Sequence, residues 1–169
     1  MARPQPGDYG HYYENYVNRV DADNLQQVIE KYARPLISFY SNLPGEKADY
    51  RYEAGKWSLK DLLQHIIDTE RIMSYRILRI ARNDSTPLPG FEENDYAASA
   101  NASARSFDSL KEEFIALRKS TDLLLQSFTE AQLNNAGTAS GYRATANGIG
   151  FIIFGHMLHH KQVIEERYL

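Results

Sequence analysis

Apolar residues recur at helical spacing in four stretches of the chain, separated by long polar segments. Leu25, Val28, Ile29, Tyr32, Leu36, Phe39 and Tyr40 follow the rhythm of a helix buried on one side. They predict a first helix over residues 23–43, with Asp23 as N-cap, a kink at Pro35 and a stop at Pro44-Gly45. Leu59, Leu62, Leu63, Ile66, Met73, Ile77 and Ile80 mark a second helix over residues 58–82. Ser58 and Asp61 open it as a capping box in which Asp replaces the usual Glu or Gln. Phe107, Leu110, Phe114, Leu117, Thr121, Leu124 and Leu125 give the face of a third helix, residues 106–128, and Thr129 to Gln132 opens a short extra turn. A fourth helix runs from about residue 145 onward.

No stretch alternates apolar and polar residues well enough to predict a strand. Residues 1–22, rich in Pro, Gly, Tyr and Asn, read as an extended arm that packs through Tyr9, Tyr12, Tyr13 and Tyr16. Residues 83–91 form a loop stopped by Pro87, Pro89 and Gly90, irregular or weakly helical structure continues to residue 105, and residues 137–147 form a second polar crossover. The expected fold is all-α: a four-helix bundle over residues 23–169, with long crossover connections that permit a topology other than up-down-up-down.

Composition narrows the function. The 169 residues suit one domain with a sizeable core, and 24% charged with 43% hydrophobic residues is an ordinary globular balance. No cysteine is present, which removes disulfides and thiolate chemistry from the protein's own side chains and fits a cytoplasmic location. A net charge of −3 without a dense Lys/Arg run argues against nucleic acid as a partner. No apolar run is long enough to span a membrane, and the first residues lack the apolar core of a signal peptide.

The fourth helix carries the chemistry. Three of the five histidines fall within five residues, at His156, His159 and His160. Residues four apart on a helix differ by only about 40° around its axis, so His156 and His160 share a face. Ile149, Ile152, Ile153, Val163 and Ile164 lie on that face too, which sets two imidazoles in a stripe where leucines are expected. His159 is rotated off it. Buried imidazoles are costly without partners, and one cation satisfies several rings at once. His65, on the shoulder of the second helix's stripe, is the candidate third ligand. His11 has no spacing partner and is expected to be exposed.

With these histidines placed, the chain resembles the DinB-like superfamily, the group also called YfiT-like metal-dependent hydrolases. The resemblance rests on the run from Gly55 through Trp57-Ser58 and His65 to Arg71, and on Gly155-His156-Met157-Leu158-His159-His160. Tyr75-Arg76, Ala81-Arg82-Asn83-Asp84, Leu88-Pro89-Gly90-Phe91 and Glu166-Arg167-Tyr168-Leu169 add to it. It implies a four-helix bundle, commonly a homodimer, and a metal triad that falls on His65, His156 and His160. It also implies kinship with S-transferases that join a low-molecular-weight thiol to an electrophile.

Three imidazoles leave a divalent ion, zinc or nickel, with open positions, the pattern of a catalytic and not a structural site. An open position can lower the pKa of water for hydrolysis, or keep a substrate thiol deprotonated for transfer. The resemblance favours the thiol version. Asp61 and Asp68 flank His65 at helical spacing and are candidates to orient its ring, as are Glu165 and Glu166 beyond the fourth-helix pair. Arg76, on the His65 side of its helix, is a candidate contact for an anionic substrate. Glu70, Arg71 and Arg76 suggest an inter-helix ion-pair network, and Trp57 reads as a core anchor. Three classes stay open: a metal-dependent transferase using a small-molecule thiol and an electrophilic substrate, a metal-dependent hydrolase, and a non-catalytic metal-binding stress-response protein.

Overall fold

The computed structural model describes residues 1–169. Four long helices form the bundle: α2 (Leu25–Ser41), α3 (Leu59–Ala81), α5 (Phe107–Gln126) and α7 (Ala146–Arg167). Shorter helices α1 (Glu14–Arg19), α4 (Glu93–Ala100) and α6 (Glu130–Asn134) lie in the connections, with a hairpin of β1 (Ala136–Ala139) and β2 (Tyr142–Thr145) before α7.

Around the bundle, α2 packs on α5 and α7, and α3 packs on the same two. Consecutive helices α2 and α3 are therefore diagonal partners, as are α5 and α7. The diagonal passages are made by residues 42–58 and 127–145, while the longest connection, residues 82–106, joins the neighbouring helices α3 and α5. Tyr40 ties α2 to α7 across the core, donating its buried hydroxyl proton to the Met157 carbonyl at 2.7 Å.

The helix starts follow local chemistry, with one correction. Asn24, not Asp23, caps α2: its side chain accepts from the Gln27 amide at 3.0 Å. Asp23 instead donates its own amide to Gln27 Oε1. Pro35 lies inside α2 without ending it. The Ser58–Asp61 box at α3 and the Thr129–Gln132 box at α6 are both formed. Thr145 caps α7 by accepting from the Gly148 amide at 3.0 Å.

Two segments differ from the pattern-based reading. Residues 137–147 are not a plain crossover: β1 and β2 pair antiparallel, Gly137 opposite Ala144 and Thr138 opposite Arg143. The residues 1–22 arm is not extended throughout. It holds a 3-10 turn at His11–Tyr13 and then α1, which packs along the chain's own α7. Glycines make that approach possible. A Cβ on Gly155 would collide with the Tyr16 carbonyl, and one on Gly148 with the Asp8 carbonyl. With the arm over one side and the bundle on the other, every residue from Ala146 to Met157 is buried.

Candidate metal centre

The capping box fixes the start of α3, and His65 follows two turns later. Asp61 accepts from the Ser58 amide at 2.9 Å while Ser58 Oγ accepts from the Asp61 amide at 3.1 Å. From α7, His156 and His160 reach across to the same point. His65 Nε2 and His160 Nε2 each lie 3.0 Å from His156 Nε2. The three residues are 7–9% exposed, so this point is shielded from bulk water.

Burial depresses the basicity of all three rings. His65 is lowered to about 4, first by burial and then by the nearby His159. Burial holds His156 and His160 well below the ordinary imidazole range, and their histidine neighbours push the same way. All three are neutral at pH 7. A neutral imidazole nitrogen offers one proton or one in-plane lone pair. His156 Nε2, facing two neighbours, can satisfy only one of them. A cation would satisfy all three, and these nitrogens suit a first-row divalent ion. The donor set thus fits a metal, and the three Nε2 atoms are the ones that would hold it.

The proposed orienting carboxylates are engaged elsewhere. Asp61 is committed to the capping box and to Arg51, at 2.9 Å. Asp68 accepts from Gln64 Nε2 at 2.9 Å. Glu165 pairs with Lys161, and Glu166 accepts from Gln162. None hydrogen-bonds a histidine of the cluster. Aromatic rings hold the imidazoles instead. Trp57 stands 4.7 Å from His65, so it borders the site and is not only a core anchor. Tyr16, delivered by α1, meets His156 edge-on at 5.4 Å and His159 at 5.5 Å. His159 itself is half-buried beside the cluster and outside it.

The cluster faces a cavity of about 490 Å³. Tyr12, Tyr13 and Tyr16 of the arm line it, as do Trp57, Thr69 and Phe91. The hairpin adds Ser140 and Tyr142, and exposed His11 meets Tyr142 edge-on at 5.3 Å. A hollow of about 620 Å³ elsewhere, between α2 and the α5–α6 corner, is larger but holds no comparable donor cluster. Arg76 does not line the histidine cavity. It is 2% exposed and donates to the Pro89 carbonyl at 2.7 Å and Ser140 Oγ at 2.9 Å. It thus fastens the 87–91 loop and the hairpin tip to α3, and its guanidinium is spent on protein partners. Ser140 has φ of 52° and Gly141 of 80°, so the tip is a tight left-handed turn. The Ser140-Gly141 dipeptide was the signal in the sequence for that turn.

The expected Glu70–Arg71–Arg76 network is replaced by another. Arg118, wholly buried on α5, pairs with Glu70 at 2.8 Å and with Asp122 one turn on. Arg71 pairs with Glu113.

Residues 26–164 match the family model described as the DinB superfamily. The chain belongs to that superfamily. It is 28% identical over 115 residues to "Putative metal-dependent hydrolase OB0413" of Oceanobacillus iheyensis, a match covering 63% of this chain and 65% of that protein. In fold it is similar to YfiT from Bacillus subtilis, described as "a probable metal-dependent hydrolase with an unusual four-helix bundle topology". The TM-score is 0.69 at 14% identity, over 96% of this chain and 89% of that one. A mycothiol-dependent maleylpyruvate isomerase shares the bundle with a TM-score of 0.62 at 15% identity, over 89% of this chain and 59% of that one. This DinB-superfamily chain therefore spans under two-thirds of both the curated relative and the isomerase.

Proposed function

We propose that the protein is a metal-dependent enzyme in which His65, His156 and His160 hold one divalent ion, zinc or nickel, and that it transfers a low-molecular-weight thiol to an electrophile. The observation that carries the reading is the meeting of three neutral Nε2 atoms, 3.0 Å from one to the next, at the wall of a solvent-connected cavity. Such an ion supplies Lewis acidity, which keeps a thiol deprotonated near pH 7.

The chain's residues do the rest. The histidines stay neutral because they are buried, and so remain ligands at physiological pH. Trp57, Phe91 and the arm tyrosines exclude water and offer ring faces to a flat or unsaturated electrophile. Burial raises the Tyr16 hydroxyl to about 12, so it stays protonated and can donate a hydrogen bond to a substrate. Arg76 acts as a positioning residue, setting the loop and hairpin that roof the cavity.

A second reading, hydrolysis at the same three histidines, is supported by the names of the Oceanobacillus protein and of YfiT. Either way we read the protein as a small-molecule enzyme, and a homodimer in the cytoplasm is part of the same reading, implied by the superfamily resemblance and not by the structure. No helix is long and apolar enough to cross a membrane.

Elemental analysis of untagged protein tests the metal first. Near one ion per chain is expected, lost in both His65→Ala and His160→Ala. A parent that takes up neither zinc nor nickel would sink the proposal. Loaded protein is then offered thiol plus electrophile, and separately esters and amides without thiol. Thiol consumption supports transfer, and thiol-independent turnover supports hydrolysis.

A further inference from the structure

The histidine cavity is aromatic on most sides and carries one carboxylate. Glu93, the first residue of α4, lines it, while no lysine or arginine does. Glu93 is half-buried and makes no salt bridge within the chain. Its charge is felt locally: after burial, it is among the causes that raise the hydroxyls of Tyr12 and Tyr16. At the mouth, Tyr12 and Tyr142 are 64% and 43% exposed, unusual for large rings that could have packed inward.

Electron-rich ring faces with a nearby carboxylate attract organic cations. The Phe91 ring already does this within the chain: the Arg76 guanidinium lies 5.8 Å from its centre. A ligand carboxylate in this cavity would meet Glu93 and no lysine or arginine in the lining, a like-charge cost that disfavours such ligands. The arm, α4 and the hairpin each contribute, so these groups come together only in the folded chain.

We propose that this cavity selects a substrate bearing a positively charged nitrogen, an ammonium or quaternary ammonium, held by the aromatic walls and Glu93 while its other end reaches the histidines. The proposal rests on the histidines being the reactive end, but the cation site is testable without them. Trp57 is the only tryptophan and lines the cavity, so its fluorescence reports occupancy. Choline, its uncharged isostere 3,3-dimethyl-1-butanol, and 3,3-dimethylbutanoate are titrated into the full chain, both chelator-stripped and zinc-loaded.

Choline is expected to bind about tenfold tighter than the isostere in the stripped protein, and the carboxylate weakest of the three. Glu93→Gln is expected to lower choline affinity about tenfold while leaving the isostere, the circular dichroism and the zinc content unchanged. Equal affinity for choline and its isostere, or tighter binding of the carboxylate to stripped protein, would overturn the proposal, as would an unaltered choline affinity in Glu93→Gln. Zinc content is read separately. A choline preference without zinc uptake removes the metal reading and keeps this one, and zinc uptake without the preference does the reverse.

Discussion

Two polar clusters sit inside the same bundle, about one helical turn apart on α3, and they are built on opposite principles. Glu70 belongs to the one around Arg118, where opposite charges meet: the guanidinium is 0% exposed and faces two carboxylates. His65 belongs to the other, where three bases of one kind face each other with no acid between them. In the first cluster opposite charges meet directly, although Glu70 Oε2 and Arg118 Nε make no hydrogen bond. The second has donors that cannot satisfy one another, and it opens on a cavity. Burial alone therefore does not mark a functional site; the mark is a set of like bases, with no counter-charge among them, at the wall of a cavity.

The contrast breaks most sharply under substitution. Arg118→Ala leaves Glu70 and Asp122 buried without a partner and is expected to cost about 3–5 kcal/mol in urea unfolding. His156→Leu in the metal-free protein takes the shared partner from the His65 and His160 rings but leaves no buried ionic charge unpaired, so it is expected to cost less than Arg118→Ala. If His156→Leu without metal proved as damaging as Arg118→Ala, the two clusters would be alike after all.

Acid separates them next. His65 has a folded pKa of about 4, against an unfolded value near ~6.5. Its contribution to metal-free stability is thus full above about pH 6.5 and is lost as pH falls toward 4, a change on the order of 3 kcal/mol. His156 and His160 shift in the same direction and add to it. Burial raises Glu70 and Asp122, against the pull of Arg118, so their contribution changes with the opposite sign and improves as pH falls. Unfolding free energy at pH 7.5 and 5, in parent and in a His65→Leu, His156→Leu, His160→Leu triple variant, checks this. The parent should lose stability in acid and the variant should lose much less.

The smallest expected effect sharpens the geometry around the histidines. Gly155→Ala forces the Tyr16 backbone off α7 and is expected to cost about 1–3 kcal/mol. It should also change Trp57 fluorescence on ligand addition, because the arm forms part of the cavity wall. The same substitution at Gly45, which meets nothing within 4 Å, is the control.

Helices α2, α3 and α5 were legible from periodicity because each buries one stripe; α7 is buried on every side from Ala146 to Met157, and what was legible there was the i, i+4 spacing of His156 and His160. The capping boxes at Ser58 and Thr129 were legible for the same local reason. The walls of the cavity were not. Ala136–Ala139 is too short and too small-sided to show alternation, and its pairing is set by Tyr142–Thr145 and by the Leu88 bridge to Ala139. Glu14–Arg19 is a six-residue helix that would not be stable alone, and it exists because Gly155 lets it dock. Asp61 and Asp68 were placed correctly in sequence spacing beside His65, but spacing does not say which way a carboxylate points. Arg76 was on the expected side of α3 and was drawn instead to the Pro89 carbonyl, a contact across a loop that periodicity does not address.

The docking of the arm on α7 also sets the order in which this protein can assemble. Helical bundles fold quickly when their contacts are local in sequence. Here the arm is joined to the start of α7 by bonds between residues more than 130 apart, Thr145 to Asp8 and Asn147 to Ala2 among them. Closing so long a loop carries an entropic penalty that local helix formation does not. Helix formation is expected to come first, and the arm that presses Tyr16 against His156, which needs a formed α7 to dock on, is expected late. A finished histidine site is then a kinetic signature of a chain that has completed its longest-range contacts.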